Sequence, residues 1–172
     1  FVINGVSGND RSGYSVSSAG DVNGDGLADL IVGAPYDGPN GSTSGASTVV
    51  FGKADGTAVE LSDIESSSNS GGFVINGASK QDLSGSSVSS AGDVNGDGLA
   101  DLIVGAHRDD SNGRDSGAST VVFGKADGTA VELSDIESSS NSGGFVINGV
   151  SAEDYSGWSV SGAGDVNGDG LA

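Results

Sequence analysis

The chain has 172 residues, with 24 Asp and Glu against 6 Lys and Arg, for a formal net charge of −18 at pH 7. Such an acidic chain repels nucleic acid and anionic membrane surfaces, and without cysteine it has no disulfide to stabilise it. Its apolar runs fall far short of the ~20 residues that span a bilayer, and the recurrence of Val, Ile, Leu and Phe argues against disorder despite 32 glycines.

Residues 1–4 form the first expected strand. Residues 14–18 form the second, with Tyr14 and Val16 alternating with serines as on a half-buried sheet face. A polar loop, residues 21–29, leads to a continuous apolar third strand at 30–34, and β-branched and aromatic residues mark a fourth at 47–51. A weaker candidate lies at 58–61. No segment carries a helical period over ten or more residues, so the expected fold is all-β.

The loop Asp21-Val22-Asn23-Gly24-Asp25-Gly26-Leu27-Ala28-Asp29 carries the chemistry. Ca²⁺ takes about six to eight oxygens, and a curled loop turns every second side chain toward one point. That places Asp21, Asn23 and Asp25 together, lets Gly26 make the sharp turn that aims the Leu27 carbonyl inward, and leaves Asp29 to close the far side. The second copy supplies Asp93, Asn95, Asp97, Leu99 and Asp101. A third supplies Asp165, Asn167, Asp169 and Leu171 but stops at Ala172, and becomes a site only if the chain continues or a neighbour contributes a ligand. An EF-hand starts in the same way but has an acidic twelfth residue and runs into a helix; here the twelfth position is Val32 or Val104 and a strand follows. Read as plain turns, the Asn-Gly and Asp-Gly pairs account for the glycines but not for Asp21 and Asp29.

The pentapeptide at Phe1 returns at Phe73 and Phe145, a period of 72 residues. Three units follow: 1–72, 73–144 and a partial one at 145–172. The first two differ at 11 positions, all within 6–14 and 35–43 of the first. Four short strands in a unit of this size fit the blades of a β-propeller, with Gly33, Ala34, Gly45 and Ala46 allowing close approach. About 2.4 units do not close a ring. The expectation is therefore a piece of a longer repeat protein, or one protomer of a ring or head-to-tail filament.

No catalytic constellation emerges, and the chain is read as a non-enzyme. His107 is the sole histidine, without a counterpart in the first unit, and is expected in a surface loop. The serines lack a nucleophile elbow. Tyr14 and Trp158 share one repeat position and are expected to pack between blades. Asn40-Gly41-Ser42 fits a glycosylation sequon but reads more simply as a turn.

Taken together, the loop between two strands, Gly33-Ala34-Pro35 and Phe51-Gly52 resemble the FG-GAP repeat of integrin α subunits and bacterial surface proteins. The second unit departs from that pattern with His107 in place of Pro35. The resemblance implies a propeller of four-stranded antiparallel blades with Ca²⁺ in the loop between the first two strands. It also implies an extracellular or cell-surface protein. The expected function is a calcium-binding structural or adhesion module whose partners are neighbouring repeats, other copies of itself, or an extracellular protein or glycan, without membrane insertion. A second reading is a lectin-like propeller, or the accessory domain of a surface enzyme.

Overall fold

The computed structural model describes residues 1–66, 71–138 and 143–172. The first unit contributes β1 (Ile3–Asn4), β2 (Ser15–Gly20), β3 (Asp29–Ala34), β4 (Ala46–Val50) and β5 (Val59–Glu60), followed by the short helix α1 (Leu61–Glu65). The second repeats them as β6 (Gly72–Asn76), β7 (Ser87–Gly92), β8 (Asp101–Ala106), β9 (Ala118–Val122), β10 (Val131–Glu132) and α2 (Leu133–Glu137). The third opens with β11 (Gly144–Asn148).

These strands build two antiparallel blades of propeller type, β2-β3-β4-β6 and β7-β8-β9-β11, with β10 added in parallel on the outside of β6. The expectation of four strands within one unit is corrected here: the fourth strand of each blade comes from the following unit. Phe73 pairs with Val49 and Ile75 with Ser47 across β4 and β6, and both are fully buried. The equivalent first-unit residues are Phe1, which is 52% exposed, and Ile3, which is only half-buried. Identical residues thus differ in burial because burial depends on the blade they complete.

The helices α1 and α2 were not expected from the sequence. Each is five residues long, too short to display a period, and is held by one apolar pair, Leu61 with Ile64 or Leu133 with Ile136. The other strands lie within two residues of their expected limits. In the third unit the stretch equivalent to β2 has no strand pairing.

The core lies between the blades. Ile31, Val49 and Phe73 of the first sheet meet Val88, Leu102 and Val104 of the second. Fitting the sheets this closely depends on glycine, as the small residues at these positions led us to expect. A Cβ on Gly33 would lie 2.1 Å from the Gly85 carbonyl oxygen, and one on Gly105 would lie 2.1 Å from that of Gly157. Backbone bridges join Gly45 to Ser84 and Gly117 to Ser156, stitching each unit to the next.

Strand directions sort the connections by end. The loops from β2 to β3 and from β7 to β8, which carry the acidic motif, lie at one end of the blades. The β3–β4 and β6–β7 connections, which hold the positions that differ between units, lie at the other.

Candidate metal centres

In the first acidic loop the side chains fold back on their own backbone. Asp21 Oδ1 accepts from the N–H groups of Gly24 (2.8 Å) and Asp25 (3.1 Å), and its Oδ2 accepts from Gly26 (2.9 Å). Asn23 Oδ1 accepts from Asp25 N, while its amide donates to Asp25 Oδ2 at 2.9 Å. Leu27 N donates to Asp25 Oδ1 at 2.8 Å. Gly24 and Gly26 take φ of 76° and 86°, left-handed values that admit this curl without a Cβ penalty.

Asp29 behaves differently. It is fully buried, and its two carboxylate oxygens accept from Val22 N (2.8 Å) and Gly52 N (2.7 Å), so one side chain ties the start of the loop to the end of β4. Burial pushes its carboxyl above the ordinary range; the two N–H bonds oppose this, and the charges of Asp25 and Asp21 add to it.

The second loop repeats the pattern. Asp93 accepts from Gly96 and Gly98, Asn95 and Asp97 are joined at 2.9 Å, and Leu99 N donates to Asp97. Buried Asp101 accepts from Val94 and Gly124, each at 2.8 Å. In the third, Asp165, Asn167, Asp169 and Leu171 make the same internal bonds on an exposed segment. Successive loops are themselves joined, Ala100 N donating to the Asp21 carbonyl and Ala172 N to that of Asp93.

The donor set fits a hard divalent cation. It is all oxygen, with three carboxylates and an amide carbonyl per complete loop and no nitrogen or sulfur donor. Among the described residues, no three His, Cys, Asp or Glu side chains stand together as a metal-holding group. The acids bond to N–H groups of their own loop and, for Asp29 and Asp101, to one beyond the following hairpin as well, and the remaining donors of the set are Asn23 or Asn95 and a backbone carbonyl.

A buried acidic group between blades went unread in the sequence. Asp82 and Asp109 are each 5% exposed, and Glu137 of α2 stands near them. Asp82 accepts from Ser79 N and Asp109 from Ser111 N, both at 2.9 Å. Burial, then repulsion from Asp109, pushes both Asp82 and Glu137 up to about 7. The first unit repeats the effect more mildly: Asp37 and Glu65 are both raised by burial, with the charge of Asp10 adding to each.

His107 corrects the expectation of a surface residue. It is 8% exposed, its Nδ1 lies 2.9 Å from Ser86 Oγ, and the Trp158 ring stands edge-on at 4.5 Å. Burial, aided by Arg108, lowers its pKa and favours the neutral ring. Among the described residues no carboxylate accepts from its other nitrogen, so the Ser86–His107 pair lacks the orienting acid of a hydrolytic triad. The Asn40 amide of the sequon donates to the Gly77 carbonyl (2.9 Å) and to Glu132 Oε2 (2.8 Å), and so links neighbouring units. Among the described residues, no helix is long and apolar enough to cross a membrane.

Comparison with known proteins places these features in context. The family model described as "FG-GAP repeat" matches residues 12–50 and 84–122, each a β-hairpin, its acidic loop and the next strand. Integrin alpha-PS2 of Drosophila melanogaster is 37% identical over 100 residues, covering 58% of this chain and 7% of that protein. Integrin alpha pat-2 of Caenorhabditis elegans is 38% identical over 96 residues, covering 56% and 7%. Integrin alpha-E of Mus musculus is 35% identical over 101 residues, covering 57% and 8%. The matched stretch is thus less than a tenth of the length of each relative.

Proposed function

This chain carries FG-GAP repeats of the integrin α type, and we propose that it acts as a calcium-stabilised, non-catalytic adhesion module at the cell surface or outside the cell. In each complete loop the ion's ligands are Asp21, Asn23, Asp25, the Leu27 carbonyl and Asp29, or Asp93, Asn95, Asp97, the Leu99 carbonyl and Asp101. Bound Ca²⁺ would supply positive charge beside Asp29, whose carboxyl is pushed up by burial and by the charges of Asp25 and Asp21. The chain's own part is to curl the loop on its glycines and to hold the closing acid in place through two backbone N–H groups.

What supports this most is the repetition of one bonding pattern in both complete loops, including a fully buried acid at the ninth position. A plain turn has no use for a buried carboxylate that burial and its neighbours destabilise. Partners in this reading are adjoining repeats, other copies of the chain, and an extracellular protein or glycan.

The test is thermal melting, mass measurement and calcium stoichiometry with Ca²⁺, Mg²⁺ or chelator. At 100 times the dissociation constant each site adds roughly 2.7 kcal/mol of stability. The Asp25→Ala, Asp97→Ala double variant should lose stoichiometry and stability together. Melting and assembly unchanged by chelation would defeat the proposal; unchanged stoichiometry in the variant would defeat the ligand assignment.

A further inference from the structure

The two complete units share their strands and acidic loops and differ only in two windows, both at the end of the blades away from those loops. There the windows of successive units enclose a cleft of about 230 Å³, whose walls include Tyr14, Tyr36, Ser86, His107, Arg108 and Trp158. Tyr14 is 58% and Trp158 66% exposed, contrary to the expectation that they pack between blades. Trp158 rests its edge on His107, Tyr14 stands edge-to-face with Tyr36 at 6.4 Å, and the Arg11 guanidinium lies 4.2 Å over the Tyr36 ring.

Charge distinguishes this cleft from the rest of the surface. The chain carries 24 acidic residues, yet no carboxylate lines the cleft. Of the six Lys and Arg, Arg11, Lys80, Arg108 and Arg114 fall in the varied windows. Arg108 lines the cleft and Arg11 stands beside it, both with exposed side chains.

We propose that this cleft binds a carboxylated sugar, such as a uronic acid residue of an acidic polysaccharide. Exposed Tyr and Trp faces suit the C–H face of a pyranose ring, and a guanidinium meets a carboxylate through paired N–H bonds. Ser86 and the two tyrosine hydroxyls supply hydrogen bonds for ring hydroxyls. The volume lies below the ~300–1,000 Å³ of sites for drug-sized ligands, and so suits one ring better than a stretch of peptide. The site gives the adhesion reading a ligand class, while depending on residues at the opposite end from the calcium loops.

Trp158 is the chain's only tryptophan, so its fluorescence reports on the cleft directly. The calcium-loaded chain is titrated with a galacturonic acid trimer, with a neutral galactose trimer, and with a glutamate-rich peptide. The acidic trimer should shift the emission saturably and bind at least about tenfold more tightly than the neutral one, the scale of one charge-assisted bond. Arg108→Ala and Arg11→Ala should each weaken it by about tenfold, with melting temperature unchanged. The proposal is overturned if the acidic trimer leaves the emission unaltered, if the neutral trimer binds as tightly, or if the peptide binds and the sugar does not. Loss of the calcium response in melting would overturn the metal reading and leave this result standing.

Discussion

Two acids of one loop should fail in different ways when removed. Asp29 is fully buried and accepts from Val22 N at 2.8 Å and Gly52 N at 2.7 Å, whereas Asp25 is exposed and bonds only within its loop. Asp29→Ala leaves two N–H groups without an acceptor, at about 1–3 kcal/mol each, or roughly 2–6 kcal/mol in chelator. The desolvation that already raises the Asp29 carboxyl offsets part of this, which favours the lower half of that range. Asp25→Ala in chelator should cost under about 1 kcal/mol, the scale of an exposed local bond. With Ca²⁺ at 100 times the dissociation constant, each variant should also lose roughly 2.7 kcal/mol. Melting in chelator should therefore separate the two variants by at least about 1 kcal/mol, or roughly 2–4 °C for a chain of this size. Equal melting temperatures in chelator would refute the anchoring role of Asp29. An Asp25→Ala chain that keeps the full calcium increment would refute its role as a ligand.

Gly33→Ala tests the blade contact without straining φ, since its new Cβ would meet the Gly85 carbonyl oxygen at 2.1 Å; denaturant unfolding should show a loss of about 1–3 kcal/mol or more. The buried acids give a pH dependence of definite sign. Asp82 and Glu137 titrate near about 7 when folded but near 4 when unfolded, so the folded state holds their protons more tightly. In chelator, their contribution to stability should fall as pH rises from about 4 to about 7 and then level off, and Asp82→Asn should flatten that fall in melts taken across the range. Asn40→Ala removes amide bonds to Gly77 and Glu132, and should cost about 1 kcal/mol by denaturant unfolding.

The acidic loops were legible because Asp, Asn and Gly recur there at fixed short spacings, and Asp21 to Asp29 needs nothing distant to be read. The strand Asp29–Ala34 was legible from its unbroken apolar run. Pairing was not, because the partner of Val49 is Phe73, in the next unit, and no local pattern records which sheet a strand will join. The burial of His107 involves Trp158, 51 residues away, whose ring meets it edge-on. Asp82, Asp109 and Glu137 are as widely scattered. Yet a signal was present: within windows where neighbours change, Asp10 and Asp37 keep their acid in the second copy as Asp82 and Asp109.

The borrowed fourth strand puts the repeat and the blade out of phase. Because Gly72–Asn76 closes the sheet of the preceding unit, a segment cut at the 72-residue boundary carries three strands of its own blade and one belonging to its neighbour. A cut made just after Asn76 or Asn148 instead releases a sheet with all four. Copying one unit in frame therefore preserves the strand exchange, since the newcomer gives a strand to the copy before it and receives one from the copy after. Anyone shortening, shuffling or grafting such arrays should count in blades, from the strand that precedes the acidic loop to the first strand of the next unit, rather than in the units that the sequence makes easiest to see.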